Sequence, residues 1–190
     1  MKFLPKILLA LTAVAAVSVA YPTKANLINN PGFETGDFRG YAFFGFGFVT
    51  GTISGVPPHS GNFQATLGNA GIGFLSPAFA TTPGASYTID FYLASTNRLA
   101  VDTFSLSWQG VPILSLTGQT PFGYTHYTFT ETASTASFTA LMFRGACFDG
   151  HWLLDDVSVE LATVPDGGTT VSLLGCALLG LAGLRRRLGC

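Results

Sequence analysis

The chain is poor in cysteine. Only three of its 190 residues are cysteines, and two of them, Cys176 and Cys190, lie close to the C-terminus. Cys147 is therefore alone in the middle of the chain, which excludes an intrachain disulfide there. The middle part must be stable through packing, or through a bound metal.

Basic residues are also scarce. The stretch from Asn26 to Thr163, called the passenger below, contains three arginines, no lysine and nine acidic residues, so its net charge is 3 − 9 = −6. A nucleic-acid partner needs a basic face, and this balance argues against one. The length of the passenger suits one domain with one core.

Patterns that carry catalysis are missing as well. Serine hydrolysis needs a base and an orienting acid, but no nucleophile-elbow pattern occurs. Cys147 and His151 are better explained as a buried thiol and a solvated ring, and no histidine pair has zinc-like spacing. Gly45-Phe46-Gly47 and Gly71-Ile72-Gly73 precede no helix, so neither is a phosphate loop. The sequence thus predicts a protein that is not an enzyme.

The passenger does have alternating short segments, separated by Gly, Pro, Asn and Ser. In Ser86–Ser95, apolar Tyr87, Ile89, Phe91 and Leu93 alternate with more polar residues, as in a half-buried strand. No helical period appears. Many short strands at this spacing predict an all-β sandwich. The other expected strands are Gly40–Thr50, Asn62–Leu67, Gly71–Pro77, Phe104–Trp108, Val111–Leu116, Tyr124–Thr132, Ser137–Arg144 and Trp152–Leu161.

The N-terminus predicts export. Met1–Lys6 carries two lysines, and Ile7–Ala20 is apolar apart from Thr12 and Ser18. This is the pattern of a signal peptide over residues 1–25, with small residues allowing cleavage after Ala20 or after Ala25. The alternative, an N-terminal membrane anchor, is disfavoured because the apolar run is short for a span.

The C-terminus, residues 164–190, has three parts. Residues 164–170 are polar and turn-prone, residues 171–184 are almost wholly apolar, and Arg185, Arg186 and Arg187 follow. A helix over the apolar part would be about 21 Å long, a marginal span, but it is apolar all round and unlike a surface helix of a soluble domain. The arginines are expected to remain in the cytoplasm as a stop-transfer signal.

This three-part order resembles the PEP-CTERM class of sorting tags, in the variant that begins Val-Pro-Asp-Ser-Gly. The motif here is Val164, Pro165, Asp166, Gly167 and Gly168, with Gly167 where that variant has Ser. The resemblance implies transient anchoring in the inner membrane and processing by an exosortase-like membrane enzyme. The passenger would then be delivered to the cell envelope, the cell surface or the extracellular matrix.

The last strand has an acid among its apolar positions. By strict alternation, Asp155 shares a face with Val157 and Val159 and points toward the core. A buried carboxylate is costly unless it is paired or binds a metal. The alternatives are that Asp155 caps a loop through backbone N–H groups, or lies at a partly wet sheet edge.

A second resemblance covers the passenger from end to end. Residues 30–36 (NPGFETG), 59–63 (HSGNF) and 154–159 (LDDVSV) are similar to galactose-binding-like jelly rolls, which include carbohydrate-binding modules of families 4, 9 and 22. The resemblance implies a structural calcium ion that ties the first strand to the last. Carried over, its carboxylates are Glu34 and Asp155, with carbonyls around Gly36 and Ser60 as further ligands.

Sugar-binding platforms use exposed aromatic rings. Tyr41, Tyr124 and Trp152 are candidates, although each is also a good core residue. The sequence therefore favours an exported, non-catalytic module that binds exopolysaccharide. The alternatives are an adhesive surface protein that binds no glycan, and a polysaccharide-active enzyme, which would need two opposed carboxylates.

Overall fold

The computed structural model describes residues 25–138 and 140–162, together with the single positions 175 and 177. Residues 25–162 form two five-stranded antiparallel sheets, and the prediction of an all-β sandwich is confirmed. The ten strands are β1 Tyr41–Gly45, β2 Gly47–Thr50, β3 Gln64–Leu67, β4 Gly71–Pro77, β5 Ser86–Ser95, β6 Thr103–Trp108, β7 Val111–Thr117, β8 Phe122–Thr132, β9 Leu141–Cys147 and β10 Trp152–Leu161.

The strand order is that of a jelly roll. Sheet A has the order β1-β4-β9-β6-β7 and sheet B the order β2-β3-β10-β5-β8. Most neighbours in a sheet are distant in sequence, so the loops collect at the two ends of the sandwich. β10 lies at the centre of sheet B, between β3 and β5.

The core is built from the inward positions of both sheets. On β5, Ile89, Phe91 and Leu93 are fully buried, and on β6 Phe104 and Leu106 are fully buried too. The Phe91 ring contacts Phe104 and also rings on β8 and β9. The alternation read from the sequence thus fixes which face of each strand is apolar.

The expected strand Gly40–Thr50 is in fact two strands. The chain leaves sheet A after Gly45 and joins sheet B at Gly47, with Phe46 at the crossing. Glycines make this close approach possible. Gly45 has φ +91°, and a Cβ on Gly73 would lie 2.0 Å from the Phe46 carbonyl oxygen.

The ninth strand begins later than expected. The sequence predicts a strand over Ser137–Arg144, whereas β9 covers Leu141–Cys147. Residues 137 and 138 instead accept backbone hydrogen bonds from Thr81 and Phe79 outside the sheets. The Phe138 side chain is exposed, so its apolar character does not mark a core position.

The predicted signal peptide and sorting tail lie outside the described residues, except for positions 175 and 177, and their boundaries stay predictions. In the part of the chain that the structure describes, no helix has the length and apolar character needed to cross a membrane.

Replacing Gly73 by Ala should destabilise the sandwich, because the new methyl group would collide with the Phe46 carbonyl at the sheet crossing. We expect a loss of about 2 to 3 kcal/mol in the free energy of unfolding. Urea unfolding followed by fluorescence measures it, since the two tryptophans, Trp108 and Trp152, are both buried. Gly123→Ala is the control, because a Cβ there meets no atom within 4 Å; equal losses for the two variants would contradict the steric explanation.

Candidate functional site

A β-bulge in β10 determines where its acidic side chains point. The pairing with β5 shifts register between Asp155 and Ser158, and Asp156 has φ +48°. Asp155 pairs with Tyr92, an outward position, whereas Val159 pairs with the core residue Ile89. The prediction that Asp155 shares a face with Val157 and Val159 is therefore wrong, because the extra residue of the bulge reverses the alternation.

Asp155 is nevertheless fully buried, because the loop after β2 covers the outer face of sheet B. Asp155 Oδ2 accepts hydrogen bonds from the backbone N–H groups of His59 (2.9 Å) and Ser60 (3.3 Å). Its Oδ1 accepts one from the N–H of Asp156 at 2.8 Å. Burial, followed by the neighbouring charge of Asp156, raises the pKa of the Asp155 carboxyl to about 6.

Glu34 binds the same loop two residues further on. Both of its carboxylate oxygens accept the backbone N–H of Asn62 at 3.0 Å, and Oε1 also accepts the N–H of Phe63 at 3.0 Å. Gly61 has φ +60°, and a Cβ on it would lie 2.3 Å from Glu34 Oε1. The acids named by the calcium-module resemblance thus act here as acceptors for loop N–H groups.

The acids gather around Gly32. A Cβ on Gly32 would lie 3.3 Å from Asp156 Oδ1 and 3.7 Å from both Asp155 Oδ1 and the Glu34 Cγ atom. We call Glu34, Asp155 and Asp156 the carboxylate cluster. Among the described residues no arginine or lysine forms an ion pair with it; the imidazole of His59 does contact it, with Nδ1 2.6 Å from Asp156 Oδ2.

The oxygen chemistry of the cluster fits calcium, although the side chains do not converge on one ion. Carboxylate oxygens are what calcium takes in proteins, and Asp155 Oδ1, which accepts a single N–H, keeps a further lone pair. The described residues contain no group of three or more His, Cys, Asp or Glu side chains set to hold a metal.

The two lesser ligands named by the resemblance differ in position. Ser60 belongs to the cluster's surroundings, since its Oγ donates to Asp156 Oδ1 at 2.7 Å. Gly36 lies beside the Phe63 ring: a Cβ on Gly36 would be 3.6 Å from the Cζ atom of Phe63. Calcium binding therefore stays a prediction. Of these two residues, Ser60 is the one that directly contacts an acid of the cluster.

The aromatic candidates are used mainly by the fold. Trp152 is fully buried between Phe104 and Phe122, and its Nε1 donates to the Ala146 carbonyl at 3.2 Å. Trp152 lies on the face of β10 that points into the core. Its side chain therefore cannot be part of a surface platform for sugars.

The two tyrosines have different surroundings. The Tyr124 hydroxyl donates to Gln64 Oε1, and the His59 ring packs edge-on against Tyr124 at 5.3 Å. Tyr41 packs on Phe33 at 5.1 Å, and its buried hydroxyl has no hydrogen-bond partner in the part of the chain that the structure describes. Burial, followed by the charge of Asp155, raises the pKa of Tyr41 well above its ordinary value.

A groove of about 500 Å³ opens at the end of the sandwich where β10 begins. Two hydrogen bonds hold the loops on either side of it together: the Thr96 N–H donates to the His151 carbonyl (3.0 Å), and the His151 N–H donates to Thr96 Oγ1 (2.9 Å). Its lining comes from four connections and consists of Ser54, Val56, Ser95, Thr96, Arg98, Pro121, Phe122, Gly123, Asp149 and Gly150. We call it the loop-end groove.

The lining of the loop-end groove combines charged side chains that form no ion pair in the described residues with apolar side chains. Arg98 and Asp149 are both exposed, and neither forms an ion pair in the described part of the chain. Phe122, anchored on Trp152, and Val56 add apolar surface. The groove arises when the jelly-roll order brings Arg98, in the connection between β5 and β6, beside residues 149–150.

Comparisons with known proteins identify the tail and the fold. Residues 163–188 match the VPDSG-CTERM motif, so the tail is a PEP-CTERM-type sorting signal and the protein is secreted and associated with the envelope. A search of curated proteins finds no match.

Several solved structures share the sandwich. The carbohydrate-binding module TmCBM61, solved with β-1,4-galactotriose, matches with a TM-score of 0.52 at 16% identity, over 73% of this chain and 99% of the module. The K2 cleaved adhesin domain of Lys-gingipain matches with a TM-score of 0.51 at 15% identity, over 73% and 100%. The CBM22-1–GH10 modules of Clostridium thermocellum xylanase Xyn10B, solved with xylohexaose, match with a TM-score of 0.50 at 17% identity, over 75% and 30%. These likenesses establish the jelly-roll fold, which this chain has in common with two carbohydrate-binding modules and an adhesin domain.

Glu34→Ala should destabilise the fold, because it leaves the N–H groups of Asn62 and Phe63 without their charged acceptor. We expect a loss of about 2 kcal/mol in the free energy of unfolding. Asp37→Ala is the matched control, since Asp37 is an exposed acid whose partners, Thr35 and Arg39, are local. Urea unfolding of both variants checks this, and a loss for Glu34→Ala no larger than that for Asp37→Ala would contradict a role for Glu34 in holding the loop.

Proposed function

We propose that this protein is an exported, non-catalytic module that binds polysaccharide in the loop-end groove. An exosortase-like membrane enzyme processes its tail after transient anchoring in the inner membrane. The passenger then acts at the cell surface or in the extracellular matrix, where it links exopolysaccharide to the envelope.

The loop-end groove is the observation that carries this proposal. Its volume of about 500 Å³ lies within the roughly 300–1,000 Å³ typical of ligand sites. Arg98 offers a fork of N–H donors and Asp149 offers acceptors, and neither is neutralised by an ion pair in the described residues. Sugar hydroxyls can donate to Asp149 and accept from Arg98, while Phe122 supplies apolar contact.

The sorting signal supports export to the cell surface or the extracellular matrix, where the protein would meet exopolysaccharide. The motif at 163–188 and the predicted N-terminal signal peptide agree with one another. The likeness to carbohydrate-binding modules supports the ligand class, although at 15–17% identity it extends only to the fold. The ligand itself is inferred from the groove of this chain.

Arg98→Ala should weaken polysaccharide binding, because it removes the donor fork from the groove. We expect at least a tenfold loss of affinity, measured by affinity electrophoresis or on a glycan array with protein purified after export from an exosortase-containing bacterium. Asp149→Asn should weaken binding as well, since the amide replaces one acceptor oxygen by a donor.

Arg39→Ala is the matched control, because Arg39 is exposed and, among the described residues, forms an ion pair only with Asp37, which does not line the groove. Its affinity should equal that of the wild type. Wild-type protein that binds no polysaccharide would favour the adhesive surface protein without a glycan ligand, and equal losses for Arg98→Ala and Arg39→Ala would move the site away from the groove.

We also propose that calcium binds beside the carboxylate cluster, with Glu34 and Asp155 as its carboxylate ligands. Support comes from three acids gathered at Gly32 without an arginine or lysine partner among the described residues. The buried Tyr41 hydroxyl, which has no hydrogen-bond partner among the described residues, adds an unsatisfied oxygen whose pKa is raised by burial and then by the charge of Asp155. A cation would relieve the repulsion between these charges.

Calcium should raise the melting temperature relative to EGTA, because an ion that binds only the folded state stabilises it. At a hundredfold excess over Kd the gain is about 2.7 kcal/mol, or roughly 5 to 10 °C for a chain of this size. Thermal melts of the exported protein in each condition measure it. Asp155→Asn should abolish the difference and Asp37→Asn should retain it; identical melts of the wild type in calcium and in EGTA would refute the site.

A further inference from the structure

An apolar patch lies on the outer face of sheet A, at the corner formed by β1, β4 and β9. Phe44 is 76% exposed, Met142 40% and Ile72 37%. The Phe44 and Phe74 rings lie 6.4 Å apart, and the Arg144 guanidinium lies over the Phe74 ring at 5.9 Å. We call Phe44, Ile72, Phe74 and Met142 the corner patch.

A hollow of about 220 Å³ lies beside Phe44 within this patch. Ala42 and Ser76 contribute to its lining, with Phe43, Phe74 and Met142 around them. Ser76 Oγ already donates to the Leu141 carbonyl at 2.7 Å. The corner patch thus contains a protruding aromatic ring and, next to it, an apolar recess.

The sheet edge at this corner has no protection against packing with another chain. Proteins usually protect exposed edges with charged side chains or proline. The segment 41–50, which forms the end strands of both sheets, contains neither. By contrast β7, the opposite edge of sheet A, carries Pro112.

The side chains of the corner patch distinguish among three kinds of binding partner: a sugar, an anionic lipid surface and a protein surface. A sugar site needs several free polar groups around its apolar surface, whereas here the Ser76 hydroxyl is engaged and Arg144 is placed over Phe74. An anionic lipid surface attracts clusters of lysine and arginine, but the passenger has a net charge of −6 and no lysine. An apolar protein surface is what remains.

A protruding ring and a recess on one patch are self-complementary. Such a patch can meet a copy of itself across a twofold axis, in an arrangement that closes at two subunits. We propose that the corner patch is a homodimer interface in which Phe44 of each copy occupies the hollow beside Phe44 of the other. The outer faces of the two A sheets then meet at this corner, and both loop-end grooves stay free.

Sedimentation velocity of the exported, processed protein over a concentration series tests this proposal. The wild type should show a monomer–dimer equilibrium. Phe44→Glu should shift its midpoint to at least tenfold higher concentration, because it places a charge in the apolar hollow, and Met142→Glu, at the rim of the hollow, should do the same. Val111→Glu is the matched control, since Val111 is 64% exposed on the opposite edge strand, and it should leave the equilibrium unchanged.

Each other outcome would overturn the proposal. A wild type that stays monomeric at the highest concentration, or a dimer that Phe44→Glu and Met142→Glu leave intact while thermal melts show both variants folded, excludes the interface. A monomeric wild type whose polysaccharide binding falls in Phe44→Glu would make the corner patch a sugar platform instead. Loss of polysaccharide binding in Arg98→Ala is a separate readout, so failure of the dimer and failure of the groove are distinguishable.

Discussion

The fold depends on hydrogen bonds that compensate the buried negative charge of Asp155. A buried carboxylate without partners would cost several kcal/mol, so three backbone N–H groups surround it, two of them from the loop at residues 59–60. The bulge that turns Asp155 outward also frees the Val157 N–H, which donates to the Pro31 carbonyl. One charge therefore orders the N-terminal segment, the loop after β2 and the central strand together.

Glycine positions complete this arrangement where side chains cannot fit. Gly61 allows the loop to approach Glu34, and Gly32 allows the N-terminal segment to pass between Glu34 and the two aspartates. At the crossing between β1 and β2, Gly45 and Gly73 allow the chain to leave sheet A and enter sheet B. The same crossing explains why the uncharged segment 41–50 forms an edge of both sheets.

Much of the fold could be predicted from the sequence, because period-two alternation is a local property. β5, β6 and β10 occur where alternation indicated, and the apolar side chains that alternate along β5 lie in the core. The direction of Asp155 could not be predicted, since one extra residue in a bulge reverses every position before it. The loop-end groove could not be predicted either, because its walls come from connections that only the strand order brings together. The sequence left Trp152 open between the core and a surface platform, since an aromatic residue at a strand start looks the same in sequence whether it faces the core or solvent.

The direction of β10 gives the molecule a mechanical axis. β10 begins beside the loop-end groove and ends where the sorting tail begins, a distance of about 33 Å for ten extended residues. If the proposed groove holds a polymer while the tail is still anchored, the tension between them runs along this strand. It is bonded laterally to β3, to β5 and, through Asn26 and Leu27, to the N-terminal segment. These hydrogen bonds would be loaded in shear and would have to break together, whereas a pull across the sheet would open them one at a time.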